Sequence, residues 1–174
     1  MDRREARIAA LKNLLKERIV ILDGAMGTML QAQQLDEAAF RGSQFTKHPK
    51  DLRGHYDVLN ITQPQIVQSI QRGYLEADAD IIKTNTFNSN AISTLDYGLE
   101  NHVHALNVAG AQIARQVVEE FEAANPGRGC LVAGSMGASP PGVPARLDTV
   151  TAPEPPMPNV SFTPSDSVVS PRVI

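Results

Sequence analysis

The chain has no tryptophan and a single cysteine, Cys130, in its 174 residues. One thiol excludes an internal disulfide framework and cannot supply a cysteine-rich metal site. The expected compartment is reducing, with the cytoplasm as the default address. No apolar run approaches the ~18 residues that span a bilayer. Met1-Asp2-Arg3-Arg4-Glu5 opens a charged segment without an apolar signal core, so neither a membrane nor secretion is expected. Charge of one sign is scarce too. The net charge of -3 and a pI near 5.8 give no basic surface for nucleic acid. Among four histidines, His102 and His104 stand two apart in a helical stretch and point to different sides. His48 and His55 lie in a long loop with no cysteine nearby. No metal-ligand set is expected from them.

What is present is the order of an α/β protein. Apolar residues Ile8, Leu11, Leu14 and Leu15 fall at helical spacing, and Ile19-Val20-Ile21-Leu22 then reads as a strand covered on both faces. That strand ends on Asp23-Gly24-Ala25-Met26-Gly27-Thr28. Residues 29–60 are long for a strand-to-helix connection and read as a site wall or lid, with a short helix near Leu35 to Phe40. Thr62-Gln63-Pro64-Gln65 has the spacing of a capped helix start, and Ile66, Val67, Ile70 and Tyr74 form its apolar stripe. A second strand, Ala79 to Lys83, ends on Thr84-Asn85-Thr86-Phe87-Asn88. A short helix precedes a long one from about Asn101 to Ala124, with Val103, Leu106, Ile113, Val117 and Phe121 inward. Cys130-Leu131-Val132-Ala133 is the third strand. Alternating strands and helices predict a parallel sheet of βαβ units. Nine of the twelve prolines lie between Pro140 and Pro171, so 138–174 reads as a disordered, proline-rich tail after a domain of residues 1–137.

Ligands of such sheets bind at the carboxyl ends of the strands. There the chain places Asp23, Thr28, Thr84, Asn85, Thr86, Asn88 and Ser135 among glycine turns. One carboxylate with hydroxyl and amide groups suits a zwitterionic small molecule, with Asp23 accepting from its ammonium. The set offers no second carboxylate or histidine for acid–base work. It also lacks the glycine patterns of nucleotide loops.

The segments Arg18 to Thr28, Phe40-Arg41-Gly42, Asp80 to Ser89 and Val132 to Gly137 closely resemble the amino-terminal half of the homocysteine S-methyltransferase domain. The resemblance is nearest to the homocysteine-binding domain of cobalamin-dependent methionine synthases. It implies the first three βα units of a (β/α)8 barrel, incomplete here, since a whole barrel needs about 250 residues. It implies homocysteine as substrate, and methyl transfer to its thiol to give methionine, with zinc and cobalamin as the family's cofactors. It places Asp23, Gly24, Met26, Gly27, Thr28, Thr84, Asn85 and Thr86 on the substrate side. The family's three zinc cysteines have no counterpart here, so no tight cofactor is expected, and the chain is expected to be inactive alone. The alternative is a non-catalytic remnant of a frameshifted gene, acting as a binding or self-associating module through exposed sheet edges. Two positions depart from the family: Lys83, where it has an acidic or amide residue, and Asp78, where it has glycine. Lys83 shares a strand face with Ile81 and Asn85, and is expected to pair with Asp23.

Overall fold

The computed structural model describes residues 3–137. The tail assigned to 138–174 lies outside the described residues. Helix α1 spans Arg3–Glu17. Its apolar residues repeat with helical spacing, yet Ile8 and Leu15 are exposed and none is buried. The helix is tied down by Arg7, which donates to the Cys130 carbonyl at 2.5 Å and to the Glu122 carboxylate at 2.7 Å.

The first expected strand is not formed as such. Residues 19–22 make one parallel bridge, Leu22 to Ile81. Ile19 is 86% exposed, and Ile21 and Leu22 are about half exposed, at 49% each. The segment has a single neighbour, and a run buried on both faces needs two layers over it. Its hold on the sheet is polar instead. Ile21 O accepts from Asp80 N at 2.8 Å and Ile81 N at 3.1 Å, and Asp23 N donates to Ile81 O at 2.9 Å. The buried Asp80 carboxylate accepts from Ile21 N at 2.9 Å and from both guanidinium nitrogens of Arg18. Among the described residues the sheet thus consists of two strands and one bridged segment.

Strands β1 (Ile81–Lys83) and β2 (Leu131–Ala133) pair in parallel, Ile81 opposite Leu131 and Lys83 opposite Ala133. Helices α5 (Pro64–Glu76) and α7 (Val103–Ala124) supply the apolar layer over Ile82. Leu75, Ala114, Val117, Val118, Phe121 and Cys130 close around it. The start of α5 differs from the capping box that the sequence suggests. Gln63 is the N-cap, without a side-chain bond, and Pro64 takes the first helical position, where its missing N–H costs nothing. Thr62 turns back to the Val58 carbonyl at 3.3 Å instead.

Residues 29–60, read from the sequence as a wall or lid, lie in a segment, 26–62, that builds a second core. The segment folds as α2 (Met26–Gln31), α3 (Glu37–Arg41), a 3-10 turn Tyr56–Val58 and α4 (Leu59–Thr62). Leu30, Phe40, Leu52, Val58 and Leu59 pack with Val67, Ile70, Leu106 and Ile113. Their spacing shows no single period because each comes from a different short element. Asp36 caps α3 through Ala39 N, and Asn90 caps α6 (Ala91–Leu95) through the amides of Ile92 and Ser93.

Candidate functional site

The carboxyl ends of the parallel segments carry two polar groups. The first is built on Asp23, whose side chain is 1% exposed. Its Oδ2 accepts from the Lys83 backbone N–H at 2.8 Å. Its Oδ1 lies 3.3 Å from Lys83 Nζ, in a direction that makes no well-formed hydrogen bond. The charge pairing is nevertheless real at that distance, and Lys83 Nζ donates to the Gly24 carbonyl at 3.3 Å as well. The expected pairing of Lys83 with Asp23 is thus formed. A Cβ at Gly24 would meet the Tyr74 hydroxyl at 3.0 Å, so the tyrosine would have to give by a few tenths of an ångström. That hydroxyl donates to Ala25 O at 3.2 Å.

The second group joins the ends of β1 and β2. Thr86 Oγ1 donates to Ser135 O at 2.8 Å, and Ser135 N donates to Thr84 Oγ1 at 2.9 Å. The two threonine oxygens are 2.6 Å apart. Since the Thr86 proton goes to Ser135, the Thr84 hydroxyl donates to Thr86. All these hydroxyl protons are spent inside the protein. The lone pairs left over make this patch an acceptor more than a donor.

The remaining sequence candidates fall elsewhere. Asn85 is buried and turned toward the 3-10 turn, where its Nδ2 donates to Tyr56 O at 3.0 Å and Asn60 Oδ1 at 3.1 Å. Asn60 returns a bond to Asn85 O at 2.7 Å. Met26 and Gly27 are half-buried at the start of α2, and Thr28 is exposed one residue on. The structure therefore brings Asp23 and Gly24 together with Lys83, and Thr84 with Thr86. No hydrogen bond links the two groups among the described residues.

Two buried titratable residues were not singled out from the sequence. Asp57 is 2% exposed, and its Oδ2 accepts from Asn88 N at 2.7 Å and Ser89 Oγ at 2.8 Å. Burial pushes its carboxyl up to about 6, against the pull of those bonds. His55 is 1% exposed and stacks edge-on against Tyr97 at 4.9 Å. Burial holds its pKa below the usual histidine value. The available signal was the pair Asp57 and Asn60, three apart on one helical face between apolar neighbours.

Zinc fits nothing here. Among the described residues no three His, Cys, Asp or Glu side chains converge. Cys130 sits in the helix-covered core with Leu75 and Phe121, and burial pushes its thiol up. It is a neutral core thiol. No step is assigned through a metal.

Comparison with known proteins gives the family. The profile of the homocysteine S-methyltransferase family matches residues 20–154, beyond Gly137, where the motifs quoted above stop. Among solved structures, the metallated form of the homocysteine methyltransferase MmuM from Escherichia coli superposes with a TM-score of 0.57 at 26% identity. It covers 73% of this chain and 41% of its own. The oxidised form of the same protein gives 0.57 at 27% identity, with 73% and 40% covered. The chain thus spans about two-fifths of the length of those enzymes. With the family profile spanning most of its length, the chain belongs to the homocysteine S-methyltransferase family.

Proposed function

We propose that the described residues form the side of a homocysteine site that grips the amino-acid end of the substrate. The reaction of the whole enzyme would be methyl transfer to the homocysteine sulfur, giving methionine. The observation that carries this reading is Asp23: a buried carboxylate at the end of a parallel segment, with one oxygen lacking a directed hydrogen bond. Such an oxygen is costly to leave unpaired and is suited to a ligand ammonium. Thr84, Thr86 and Ser135 beside it would border the ligand as acceptors. In the reaction an S–C bond forms at homocysteine, its thiol proton is lost, and the donor gives up a methyl group. Zinc and cobalamin belong to the family reading. Since no described residues fit zinc, the chain on its own is proposed to bind without turning over.

Titration of L-homocysteine into the full chain by calorimetry tests this. Binding that weakens by about tenfold or more in Asp23→Asn supports the reading. No heat at millimolar homocysteine would overturn it. Methyl transfer by the purified chain with stoichiometric zinc would overturn the proposed lack of turnover.

A second reading, a non-catalytic module that self-associates, is favoured by one observation. Ile19, Ile21 and Leu22 on one sheet edge and Val132 on the other are exposed. Open edges of this kind pair with other chains. Sedimentation of the full chain over a hundredfold concentration range decides it: a monomer throughout removes that reading.

A further inference from the structure

Among the described residues Asp57 is a buried carboxylate with no cation against it, and its hydrogen-bond partners are all on one loop. From the 3-10 turn Tyr56–Val58 it reaches Asn88 N and Ser89 Oγ, both in the segment that follows β1. The same segment carries Thr84, Asn85 and Thr86. Its other ties come from the same direction. Asn60 and Asn85 exchange two hydrogen bonds, and Asn107 of α7 donates to Ser89 O at 2.7 Å. Gly110 lets α7 close in, since a Cβ there would lie 2.5 Å from Thr86 Cγ2 and 2.8 Å from Asn60 Nδ2.

We propose that Asp57 is a positioning residue for the ligand site. Its ionised carboxylate fixes the Asn88-Ser89 end of the loop, and so sets where the Thr84 and Thr86 oxygens stand beside Asp23. The assignment of the ligand end rests on the homocysteine reading above; the anchoring of the loop does not. A buried carboxylate without a counter-charge is expensive, so an apolar or amide residue would serve folding better. What the charge adds is bond strength. Hydrogen bonds to an ionised acceptor are roughly twice as strong as neutral ones.

A consequence follows for pH. As the carboxyl takes up its proton near pH 6, both bonds weaken to neutral strength while the carboxyl becomes easier to bury. The loop end loosens although the protein as a whole does not. The titratable groups around Asp57 are His55 on its own segment and Tyr97, stacked on His55 from the turn after α6. Of these, His55 has its pKa lowered by burial from the ordinary histidine value. It is therefore the group to separate from Asp57.

The experiment uses the full chain. Amide resonances of Asn88 and Ser89 are followed by NMR from pH 7.5 to 5, and L-homocysteine affinity is measured calorimetrically at the same points. In the wild type the Asn88 amide should shift with a midpoint near pH 6, and affinity should fall by about fivefold on acidification. In Asp57→Asn both profiles should flatten, with affinity at pH 7.5 already at the acid value while stability is unchanged or higher. A Ser89→Ala variant removes one donor and should move the Asn88 midpoint upward, which keeps the test open if Asp57→Asn does not fold. An Asn88 amide that ignores pH overturns the proposal, as does an Asp57→Asn profile still sloping like wild type, which would assign the effect to His55. If the amides behave as stated but homocysteine never binds, the homocysteine reading fails and the anchor stands.

Discussion

Lys83 is the residue on which the proposed ligand site turns. Its ammonium lies 3.3 Å from Asp23 Oδ1, where a ligand ammonium would need to sit. The lysine is about one-third exposed and both its contacts are long, so the pairing is weak enough to be displaced but not free of cost. Lys83→Gln should therefore strengthen L-homocysteine binding by about tenfold, and should do nothing for 4-mercaptobutyrate, which lacks the amino group. Calorimetry with both ligands checks this; equal gains for the two would show that Lys83 does not compete for Asp23. Asp78 poses a separate residue-scale question. It holds φ +68, in the left-handed region that costs a side chain about 1 kcal/mol. Its pairing with Arg128 at 2.5 Å is mostly in solvent and returns little. Asp78→Gly is expected to raise stability by about 0.5 kcal/mol in urea denaturation.

Among the elements, α7 makes one especially close approach to its neighbours at Gly110. Its Gly110 faces Asn60 and Thr86 with no room for a methyl group, so two elements touch backbone to side chain at that point. Gly110→Ala gains helix propensity but must push Thr86 or Asn60 aside, and overpacking of this kind costs about 1–3 kcal/mol. Urea denaturation should show that loss, and the amides of Asn60 and Thr86 should shift. A neutral or stabilising effect would mean that the loop after β1 yields easily there. The elements also show what the sequence could reveal. The long helix was legible because Leu106, Ile113, Val117 and Phe121 keep one period over about four turns. Cys130 to Ala133 was legible as a short apolar run between a Pro-Gly break and a Gly-rich turn. The run Ile19 to Leu22 misled, because composition records only that residues are apolar. Whether a second layer covers them depends on chain far away. Residues 29–60 misled in the opposite sense: a core built from several four- to six-residue elements has no period to read. At the site, Asp23 and its partner Lys83 were legible from strand alternation. The bond from Asn85 to Asn60 was not legible, because that partner lies 25 residues back, where nothing local announces the pair.

For the whole molecule, buried titratable groups set opposing pH dependences. Asp57 has its carboxyl raised to about 6 from 3.8. Between these values the native protein keeps a proton that the unfolded chain has released, so stability falls as pH rises through the window and levels off above it. The shift of about two units corresponds to at most about 3 kcal/mol. His55 works the other way. With its pKa held below 6.5, the unfolded chain takes up a proton that the native ring refuses, and stability falls as pH drops through 6.5. Asp80 lies outside this range. Its hydrogen bonds from Arg18 outweigh burial and lower its carboxyl, so its stabilisation holds above the unfolded value near 3.8 and is lost as pH falls through the lower folded one. The wild type should therefore show a stability profile in which Asp57 and His55 act in opposite senses below pH 6.5, and a further loss below about pH 4. Asp57→Asn should raise stability at pH 7.5 and expose the histidine, so that stability then drops on acidification from pH 7 to 5. Urea denaturation across that range decides the matter. A mutant profile parallel to wild type would mean that Asp57 titrates at an ordinary carboxyl value, and would remove the physical basis for a loop anchored by a costly charge.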